Sequence, residues 1–535
     1  MNITDQKTYD VVIIGGGHNG LTTACYLAKA GLEVAVLEAA DQIGGMTASG
    51  TPISTAPRHV VNYCAADLLF WLSSPVDREL QLEAFGLKKI VVDPSYVYLH
   101  PDGASIAVWK DPPRTADEIR LFSRADAEAY LEYARFLDAL FDIVFPYMLT
   151  NPQRPDLRSI MSMARGTIKH RRLLRQFGYF LLASGEETID QRFEHPVTRS
   201  LLYCLGAGAN PINQHGTSLT HLFLAFLHRS GTARPVGGMQ AIPNALANRF
   251  TALGGTISTG SEVAEIVVTG GRAAGVRLTD GRTFAARRAV VSTPDPRTTL
   301  AKLLPAGTLS GDLAVKVRHI PANSSGAGAM KADLALSGRL TLKRHQRWRG
   351  DDVDLRVPAV LVGTCDQIRR GWSRAAAGIV PDADDVALWP VLLNGADPSQ
   401  APDGQDSLYL FATNMPLHPE GGWNQWREKA ANTIVERAGQ FYDGIAELEI
   451  GRWVETPELA GERNRVTNGA AMHVDHLLFS QGPLRPAMGL AGSRLPVKGL
   501  VLGGAGTHPG GGVSGIPGRR AARNILASHD GGAAT

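Results

Sequence analysis

Cysteine is scarce in this chain. The 535 residues include four cysteines, Cys25, Cys64, Cys204 and Cys365, and no two of them are close enough in sequence to form a CxxC pair. Disulfide frameworks and cysteine-based zinc sites need paired or clustered cysteines. The spacing therefore predicts four reduced thiols and excludes a fold that depends on disulfides or structural zinc.

Long apolar runs and an excess of either charge are also absent. The longest apolar run, LTHLFLAFLH from Leu219, has about half of the ~20 residues that a helix needs to span a bilayer. The N-terminal sequence MNITDQKTYD is polar and lacks the apolar core of a signal peptide, so we expect a cytoplasmic protein, with contact at a membrane surface left open. The 54 basic and 51 acidic residues leave a net charge of +3, which argues against a nucleic-acid partner.

The chain does contain a large apolar fraction and many glycines. Hydrophobic residues make up 44% of the sequence and charged residues 20%, as in globular proteins with a buried core. A chain of this length usually forms two or more domains. Its 58 glycines exceed an average share, and we expect them to cluster where the backbone approaches a ligand.

Residues 9–38 have the pattern of a dinucleotide-binding βαβ unit. The run VVII predicts a buried strand, and a helix pattern follows it and ends at Gly31. Between them, Gly15, Gly17 and Gly20 have G-x-G-x-x-G spacing. The first glycine permits the tight turn, the second lets a pyrophosphate approach the backbone, and the third lets helix and strand pack closely. The N–H groups and partial positive charge at the helix N-terminus attract the phosphates.

Glu38 ends the second strand of this unit, eighteen residues after Gly20. A carboxylate at this place accepts hydrogen bonds from the ribose hydroxyls of a bound dinucleotide. It also disfavours the 2′-phosphate of NADP. The unit therefore predicts NAD or FAD as the cofactor.

A second glycine pair, Gly44–Gly45, follows the acidic strand within AADQIGGMTASG. This arrangement resembles the large flavoprotein group that includes glutathione reductase and amine oxidase, in which a glycine pair at this place contacts FAD. Many members continue with Arg where this chain has Met46. The resemblance implies FAD, bound by Gly15, Gly17, His18, Asn19, Gly20, Glu38, Gly44 and Gly45.

The block from Pro235 to residue 300 predicts one helix followed by a β-meander. The helix pattern covers Ala241–Leu253, and strands VAEIVV and AAGVRL follow, with the dipeptide Asp280–Gly281 as a hairpin turn before a third strand. This order of elements resembles the second segment of the FAD domain in the same flavoproteins. The resemblance implies that the backbone of Val263 contacts the adenine.

The stretch GGAGTHPGGGVSGIPGRR, from Gly503 to Arg520, lies between a strand pattern and a helix pattern. It resembles the C-terminal signature of the phytoene-desaturase family, in which this segment returns to the first domain and completes the FAD site. With GGGHNG and VSGIPGR, the chain is most similar to the branch of phytoene-desaturase-like FAD-dependent oxidoreductases that holds carotenoid desaturases, desaturase-like β-carotene ketolases and pyridine nucleotide-disulfide oxidoreductase domain proteins. The resemblance implies further FAD contacts at Gly504, Gly506, Thr507, Gly512 and Val513.

The resemblance implies an α/β architecture in two parts. A Rossmann-type FAD-binding domain of the glutathione-reductase and amine-oxidase kind is assembled from residues 1–90, 231–300 and 481–535. Residues 91–230 and 301–480 form an α+β substrate domain with a β-sheet floor and a helical cover, which contains the runs LLYCLGAGAN and LTHLFLAFLH. Helices that are apolar all round are usually core, although in this family such helices can line an apolar tunnel or touch the bilayer.

No catalytic triad stands out, so the candidate catalytic residues are polar side chains near the expected flavin. We expect His508 closest to it, with loop packing as the alternative role. Arg58 and His59 follow the glycine pair and are expected either to skirt the substrate face of the flavin or to lie in solvent. His473 and His476 are three residues apart, which would place two metal ligands on one helix face, but no third ligand is near and we expect no metal site.

Together these features predict an FAD-dependent oxidoreductase that transfers hydride from a substrate C–H bond to flavin N5. The leading hypothesis is a dehydrogenase, desaturase or ketolase acting on a hydrophobic, isoprenoid or carotenoid molecule. The alternatives are an amine-oxidase-like enzyme for a polar secondary-metabolite intermediate and, third, a non-enzymatic prenyl-binding escort-like protein. A long apolar tunnel favours the first and a compact aromatic cage the second. No second G-x-G-x-x-G unit occurs between residues 300 and 490, which favours oxygen, a quinone or another redox partner as electron acceptor; the oligomeric state is left open.

Overall fold

The computed structural model describes residues 7–208, 210–491 and 495–530. Within these residues the strands are β1 (Lys7–Ile14), β2 (Val34–Leu37), β3 (Ser49–Gly50), β4 (Val61–Asn62), β5 (Lys89–Val92), β6 (Tyr96–Leu99), β7 (Ser105–Val108), β8 (Thr232–Pro235), β9 (Thr256–Ser258), β10 (Val263–Thr269), β11 (Arg272–Leu278), β12 (Thr283–Ser292), β13 (Ala327–Leu336), β14 (Ala359–Val362), β15 (Leu388–Leu392), β16 (Asp406–Pro416), β17 (Glu449–Glu455) and β18 (Leu500–Leu502). The α-helices in the same residues are α1 (His18–Lys29), α2 (Leu69–Ser73), α3 (Val76–Leu80), α4 (Pro112–Arg120), α5 (Arg124–Met148), α6 (Leu157–Lys169), α7 (Leu174–Leu182), α8 (Gly185–Asp190), α9 (Pro196–Gly206), α10 (Leu222–Ser230), α11 (Ala241–Ala252), α12 (Gly311–Arg318), α13 (Lys343–Arg349), α14 (Cys365–Ala376), α15 (Leu393–Ala396), α16 (Trp423–Gly439), α17 (Ile445–Leu448), α18 (Pro457–Asn464) and α19 (Ile516–Asp530).

The first sheet is a parallel Rossmann-type sheet with an antiparallel extension. Its strand order is β10-β11-β12-β1-β2-β9, and β18 also pairs with β12. Strands β18, β12, β1, β2 and β9 are parallel, and β10, β11 and β12 form the antiparallel meander. The predicted fold class is confirmed. The strands fall inside the three segments expected to build the FAD domain, and the domain boundaries themselves stay a prediction.

Strand β1 lies in the centre of this sheet because both of its faces are apolar. Residues Val11 to Ile14 are at most 5% exposed, as expected for a parallel strand covered on both sides. Val11 and Ile13 pack with α1, α11 and α19, whereas Val12 and Ile14 pack with the meander on the other face. The apolar pattern of Val11–Ile14 thus buries β1 in the centre of the sheet, and its carboxyl end leads directly into the glycine turn at Gly15.

The two ends of the chain meet beside the first sheet. Helix α19 packs against α1 so closely that a side chain at Gly518 would collide with the carbonyl oxygen of Asn19. Side chains at Gly15 and Gly504 would both collide with Thr293, which follows β12. The N-terminal turn, the middle block and the C-terminal loop therefore form one wall.

The second sheet has the strand order β17-β13-β16-β15-β14-β6-β7. All of its pairs are antiparallel except that of β14 with β6. One face packs with α5, α9 and α10 in a core that includes Tyr98 and Leu361, and the other face packs with α16. This sheet and its helices supply a floor and a cover, and their strands fall inside residues 91–230 and 301–480.

The two apolar runs expected in the helical cover are interior. The run from residue 201 supplies the second half of α9 with residues 201–206, and its residue 209 lies outside the described residues. The run from Leu219 forms part of a short 3-10 turn and most of α10. Leu202, Leu224 and Leu227 are at most 1% exposed, so these helices have no apolar face left for a bilayer. In the described parts of the chain, no helix is long and apolar enough to cross a membrane.

Candidate cofactor and substrate site

A cavity of about 1490 Å³ lies at the carboxyl ends of β1 and β2 and continues between the second sheet and its helices. Ligands of open α/β sheets bind at this end of the strands. The volume exceeds the roughly 300–1,000 Å³ of a pocket for one drug-sized ligand, so it has room for a dinucleotide and a second molecule. The sequence-predicted residues that line it are Gly15, Gly17, His18, Asn19, Gly20, Glu38, Gly45, Val263, His508, Gly512 and Val513.

The three glycines of the first turn have different roles. Gly15 has a φ of +97° and lies against Thr293, and a side chain at Gly20 would collide with the carbonyl oxygen of Gly15. These two glycines are therefore needed for the turn itself. Gly17 has an ordinary φ of −71°, and a Cβ atom there would meet only the carbonyl oxygen of Gly44, at 3.7 Å. The space beside Gly17 belongs to the cavity, as the close approach of a phosphate requires.

The N-terminus of α1 lies on the cavity wall. Gly17 occupies the N-cap position, no side chain caps the helix, and the first turn carries no acidic residue. The first backbone N–H groups of a helix have no partner inside the helix, and they carry a partial positive charge. Since His18, Asn19 and Gly20 also line the cavity, this donor set fits the diphosphate of FAD.

The carboxylate of Glu38 is held beside this turn by the backbone. One oxygen accepts a hydrogen bond from the N–H of Gly16 at 2.7 Å, and the other accepts from Ala40 at 2.9 Å. These two bonds orient an acceptor-only group that still has free lone pairs towards the cavity it lines. The arrangement fits ribose hydroxyls as donors.

The second glycine pair extends the wall. The N–H of Gly44 donates to the carbonyl oxygen of Gly16 at 3.0 Å and Gly44 bridges to Gly17, so this residue anchors the loop and does not line the cavity. Gly45 and Met46 line the cavity directly. Gly44 thus anchors the loop, and this places Gly45 on the cavity wall.

The C-terminal loop contributes both lining and supporting residues. Gly512 and Val513 line the cavity, with Ala505 and Ser514 beside them. Gly504, Gly506 and Thr507 lie behind the wall: the two glycines press against Thr293 and Pro296, and the threonine hydroxyl donates to the carbonyl of Gly504 at 2.9 Å. For these three residues, direct contact with FAD stays a prediction.

His508 lines the cavity and is 3% exposed. Its Nε2 lies 3.0 Å from the carbonyl oxygen of Tyr147, and because a carbonyl only accepts, Nε2 must carry the proton. Burial lowers the pKa of His508 to about 3, so the ring is neutral near pH 7 and Nδ1 is an acceptor. His508 is therefore a neutral, fixed ring at the wall, where its catalytic role stays a prediction.

Arg58 and His59 do not line the cavity. Arg58 is exposed to solvent. His59 is buried, and its Nε2 lies 3.3 Å from the carbonyl oxygen of Leu336 in the second sheet. The chain leaves the glycine pair in a direction that carries both residues away from the cavity, which gives no geometric support to contact with flavin or substrate.

His473 and His476 line the cavity but do not share a helix. Asp475, between them, accepts hydrogen bonds from the backbone N–H groups of Asn323 and Ser324, at 2.7 and 2.9 Å. These long-range bonds hold the segment in an irregular conformation in which His473 has a φ of +61°. The expectation of one helix face is therefore wrong.

Metal ligands and disulfides are both missing from the described residues. Among residues 7–208, 210–491 and 495–530, no group of three or more His, Cys, Asp or Glu side chains could hold a metal ion. The four cysteines are free, in agreement with their sequence spacing.

One part of the cavity, which begins where Phe70 lies against Gly512, is an aromatic chamber. Strands of the second sheet and helices α2 and α10 supply its rings, and neighbouring ring centroids are 5.1–6.4 Å apart. Such spacings are typical of packed aromatic pairs. The rings are those of Phe70, Tyr96, Phe223, Phe226, Trp389, Tyr409 and Phe411.

One carboxyl group, that of Asp67, lies among these rings. The hydroxyl of Tyr96 donates to it at 2.7 Å, and burial raises its pKa, opposed by this hydrogen bond. The sequence reasoning missed Asp67. The only local signal was an acidic residue inside the apolar run CAADLLFW, and its partner Tyr96 lies 29 residues further on, in a strand of the other sheet.

Comparison with known proteins agrees with this geometry. The chain is 28% identical to mouse pyridine nucleotide-disulfide oxidoreductase domain-containing protein 2 over 97% of this chain and 94% of that protein. It is 26% identical to the lycopene-forming phytoene desaturase of Pseudescherichia vulneris, over 94% of this chain and 96% of the enzyme. The fold is similar to that of cyclohexylamine oxidase from Brevibacterium oxydans, with a TM-score of 0.58, 15% identity and coverage of 98% and 99%. The sequence pattern of the flavin containing amine oxidoreductases matches residues 20–338, more than half of the chain, and the protein therefore belongs to this family as an FAD-dependent oxidoreductase.

Proposed function

We propose that this oxidoreductase removes hydride from a C–H bond of a hydrophobic, isoprenoid or carotenoid molecule, in a desaturation, dehydrogenation or ketolation. The supporting observation is the aromatic chamber, which would bury a hydrocarbon chain next to the cofactor site. FAD, when bound, supplies the hydride acceptor. We propose that the residues holding it are Gly15, Gly17, His18, Asn19, Gly20, Glu38, Gly44, Gly45, Val263, Gly504, Gly506, Thr507, Gly512 and Val513.

In this proposal the residues of the chain orient the cofactor and the substrate and exclude water from the reacting atoms. The N–H groups of α1 neutralise the diphosphate, and Glu38 orients the ribose. The sheet floor and the helical cover hold the substrate C–H bond at reacting distance. This lowers the activation barrier, because the orientational entropy of the substrate is lost on binding and not in the chemical step. Burial of the apolar substrate supplies about 25 cal/mol for each Å² removed from water.

We propose the same two-part organisation that the sequence predicts. Residues 1–90, 231–300 and 481–535 form the FAD domain, and residues 91–230 and 301–480 form the substrate domain. The cavity crosses from one to the other. The electron acceptor is proposed to be oxygen, a quinone or another redox partner, and the protein is proposed to be cytoplasmic with peripheral contact to a membrane.

The test is anaerobic, single-turnover reduction of the purified yellow protein. Candidate substrates are a carotenoid precursor and a monoterpene in detergent micelles, with a diamine and an aromatic amine as alternatives. We expect the hydrocarbon to bleach the absorbance near 450 nm and the amines to leave it unchanged. Bleaching by amines alone would contradict the hydrophobic substrate, and mass spectrometry of the co-purified molecule provides an independent check.

A second candidate substrate class is a primary or secondary amine, and Asp67 is the observation that favours it. A carboxylate among aromatic faces is a suitable site for an ammonium group, through ion pairing and cation–π contacts. A hydrocarbon gains nothing from this group.

Asp67→Asn separates the two classes. If an amine is the substrate, loss of the charge should lower kcat/KM roughly 10- to 100-fold, since a hydrogen bond to a charged group contributes about 1.5–3 kcal/mol. For a hydrocarbon substrate we expect less than about a threefold change. The matched control is Tyr96→Phe, which keeps the carboxylate and removes only its hydroxyl partner. A large loss with hydrocarbon in Asp67→Asn alone would mean that Asp67 acts on the reacting atoms in either class.

A further inference from the structure

Helix α6 presents its apolar residues to solvent. Leu157, Ile160, Met161 and Ile168 fall on one face of the helix and are 46–70% exposed. The opposite face carries Gly166, the buried residue of this helix, which lies against the carbonyl of residue 142 in α5. A surface helix of a globular protein normally turns its apolar stripe inwards. In α6 the apolar stripe points outwards, so the core of this protein does not explain it.

Segments that follow α6 in the chain or lie beside α7 also expose apolar residues. Helix α7 exposes Leu174, Tyr179 and Leu182, at 43–64%. Residues 478–488 add Phe479 and Met488, both 65% exposed. Residues 478–488 adjoin α7, because a Cβ atom built at Gly216 would lie within 4 Å of both Leu181 and Leu478. We call residues 154–182, which contain α6 and α7, and residues 478–488 the outer surface.

The outer surface is strongly basic. Residues 154–175 contain seven Lys or Arg and one acidic residue, a net charge of +6, whereas the whole chain has a net charge of +3. All seven basic residues are exposed. On α6 the cations at Arg158 and Arg165 lie to one side of the apolar stripe, and Lys169, on the same side, pairs with Asp142 of α5 at 2.9 Å. Apolar residues flanked by cations on one amphipathic helix are typical of binding in the plane of an anionic membrane surface.

One end of the cavity, which we call its mouth, lies at the outer surface. Leu181 of α7 and Leu478, Pro483 and Leu484 line the cavity, and Pro483 and Leu484 are also exposed. We propose that the outer surface docks on an anionic lipid bilayer, with the mouth of the cavity facing the lipid. An apolar molecule dissolved in the bilayer would then reach the aromatic chamber without crossing water. This inference deepens the peripheral membrane contact in the proposed function and places it on α6 and α7, not on the interior helices α9 and α10.

The probe is co-sedimentation of the full-length, FAD-loaded protein with vesicles. We expect binding to phosphatidylcholine vesicles that contain phosphatidylglycerol, and weak binding to phosphatidylcholine alone. High salt should weaken the binding, because the Debye length falls from about 10 Å at 0.1 M to about 3 Å at 1 M. Equal binding to both vesicle types, or no binding to either, would overturn the proposal.

The apolar part is tested with Leu157→Asn/Ile160→Asn/Ile168→Asn, three positions that are exposed and therefore unimportant for the core. We expect at least about a tenfold loss of vesicle binding, from the apolar area no longer buried in the lipid. The matched control, Val91→Asn/Leu121→Asn, changes residues that are 70% exposed elsewhere. Wild-type binding by the triple variant would contradict the proposal.

The charged part is tested with Arg171→Gln/Arg172→Gln. Each cation near an anionic surface contributes about a fivefold gain in binding, so we expect about a tenfold loss or more. The control Lys316→Gln/Arg318→Gln removes two exposed cations of α12 and should bind as the wild type does. Equal losses in both pairs would mean a non-specific charge effect and would overturn the assignment of the outer surface.

Two measurements distinguish lipid docking from the proposed reaction and from self-association of the chain. Flavin content and the rate of flavin reduction by a micellar substrate should be unchanged in all of these variants, so failure to bind vesicles leaves the proposed reaction untouched. Light scattering without lipid reports the oligomeric state. A dimer that dissociates in Leu157→Asn/Ile160→Asn/Ile168→Asn would mean that a second copy of the chain covers the outer surface, and would overturn lipid docking.

Discussion

Gly17→Val is expected to fold and to purify without FAD. The backbone at Gly17 has a φ that any residue adopts, and an added Cβ atom meets no protein atom closer than 3.7 Å. The valine instead fills the space through which the diphosphate approaches the N–H groups of α1. A steric conflict of about 3 kcal/mol corresponds to a loss of affinity of about a hundredfold or more. The measurements are the ratio of absorbance at 450 and 280 nm after purification and calorimetric titration of the apoprotein with FAD.

Two other glycine variants serve as controls that distinguish loss of FAD binding from a general effect of an added side chain. Gly439→Val, at the end of α16, also adds a side chain where nothing lies within 4 Å, and it should keep its flavin. Gly20→Ala should lower the thermal stability of the apoprotein as well, because its methyl group collides with the carbonyl of Gly15. A yellow Gly17→Val protein with wild-type affinity would refute the assignment of the first turn to the diphosphate.

The protein is expected to lose stability as the pH falls from about 6.5 towards 3. Burial lowers the pKa of His18 to about 4 and that of His508 to about 3, against about 6.5 in an unfolded chain. Between these values the unfolded state binds more protons than the folded state, so the stability that is fully present above pH 6.5 is lost in acid. Each histidine accounts for about 3 kcal/mol or more, and the net stability of a domain is about 5–15 kcal/mol.

Urea unfolding of the apoprotein at several pH values between about 7.5 and about 4.5, which covers the upper part of these shifts, measures this loss. In His18→Asn/His508→Asn the pH dependence should be shallower but not abolished, because burial also lowers the pKa of His221 and His473 to about 4 and that of His476 to about 3. The control His215→Asn/His319→Asn changes two exposed histidines and should keep the steep wild-type profile. If the double variant of the buried pair were as acid-sensitive as the wild type, other groups would have to cause the loss.

Local patterns predicted the first wall of the site well. The strand at Val11–Ile14, the turn at Gly15, Gly17 and Gly20, and the acid at Glu38 are close in sequence, and the backbone geometry of a βαβ unit fixes where they meet. The helix predicted over residues 241–253 was also found, one residue shorter, since its apolar periodicity agrees with its tertiary contacts. In these segments local propensity and the global fold require the same conformation.

The rest of the site depends on contacts between distant segments. Asp67 becomes part of the aromatic chamber only because Tyr96 and the rings of α10 pack around it. These segments are distant in sequence, so no local spacing predicts their contact. His473 and His476 have helical spacing, but the bonds that Asp475 makes to residues 323 and 324 hold their segment in another conformation. Arg58 and His59 were placed by extrapolating the chain path, which turns towards the second sheet instead.

The close contact of α1 with α19 sets an order for biosynthesis. The nascent chain presents its phosphate-binding turn early, but the residues that press against Asn19 and Thr293 are translated about 480 positions later. At about 5–20 residues per second, the ribosome needs roughly 25–95 s to make them. During that interval the first sheet lacks β18, and the cofactor pocket lacks one wall. We therefore expect flavin capture to follow translation, so that a ribosome stalled before residue 500 would carry a colourless nascent chain.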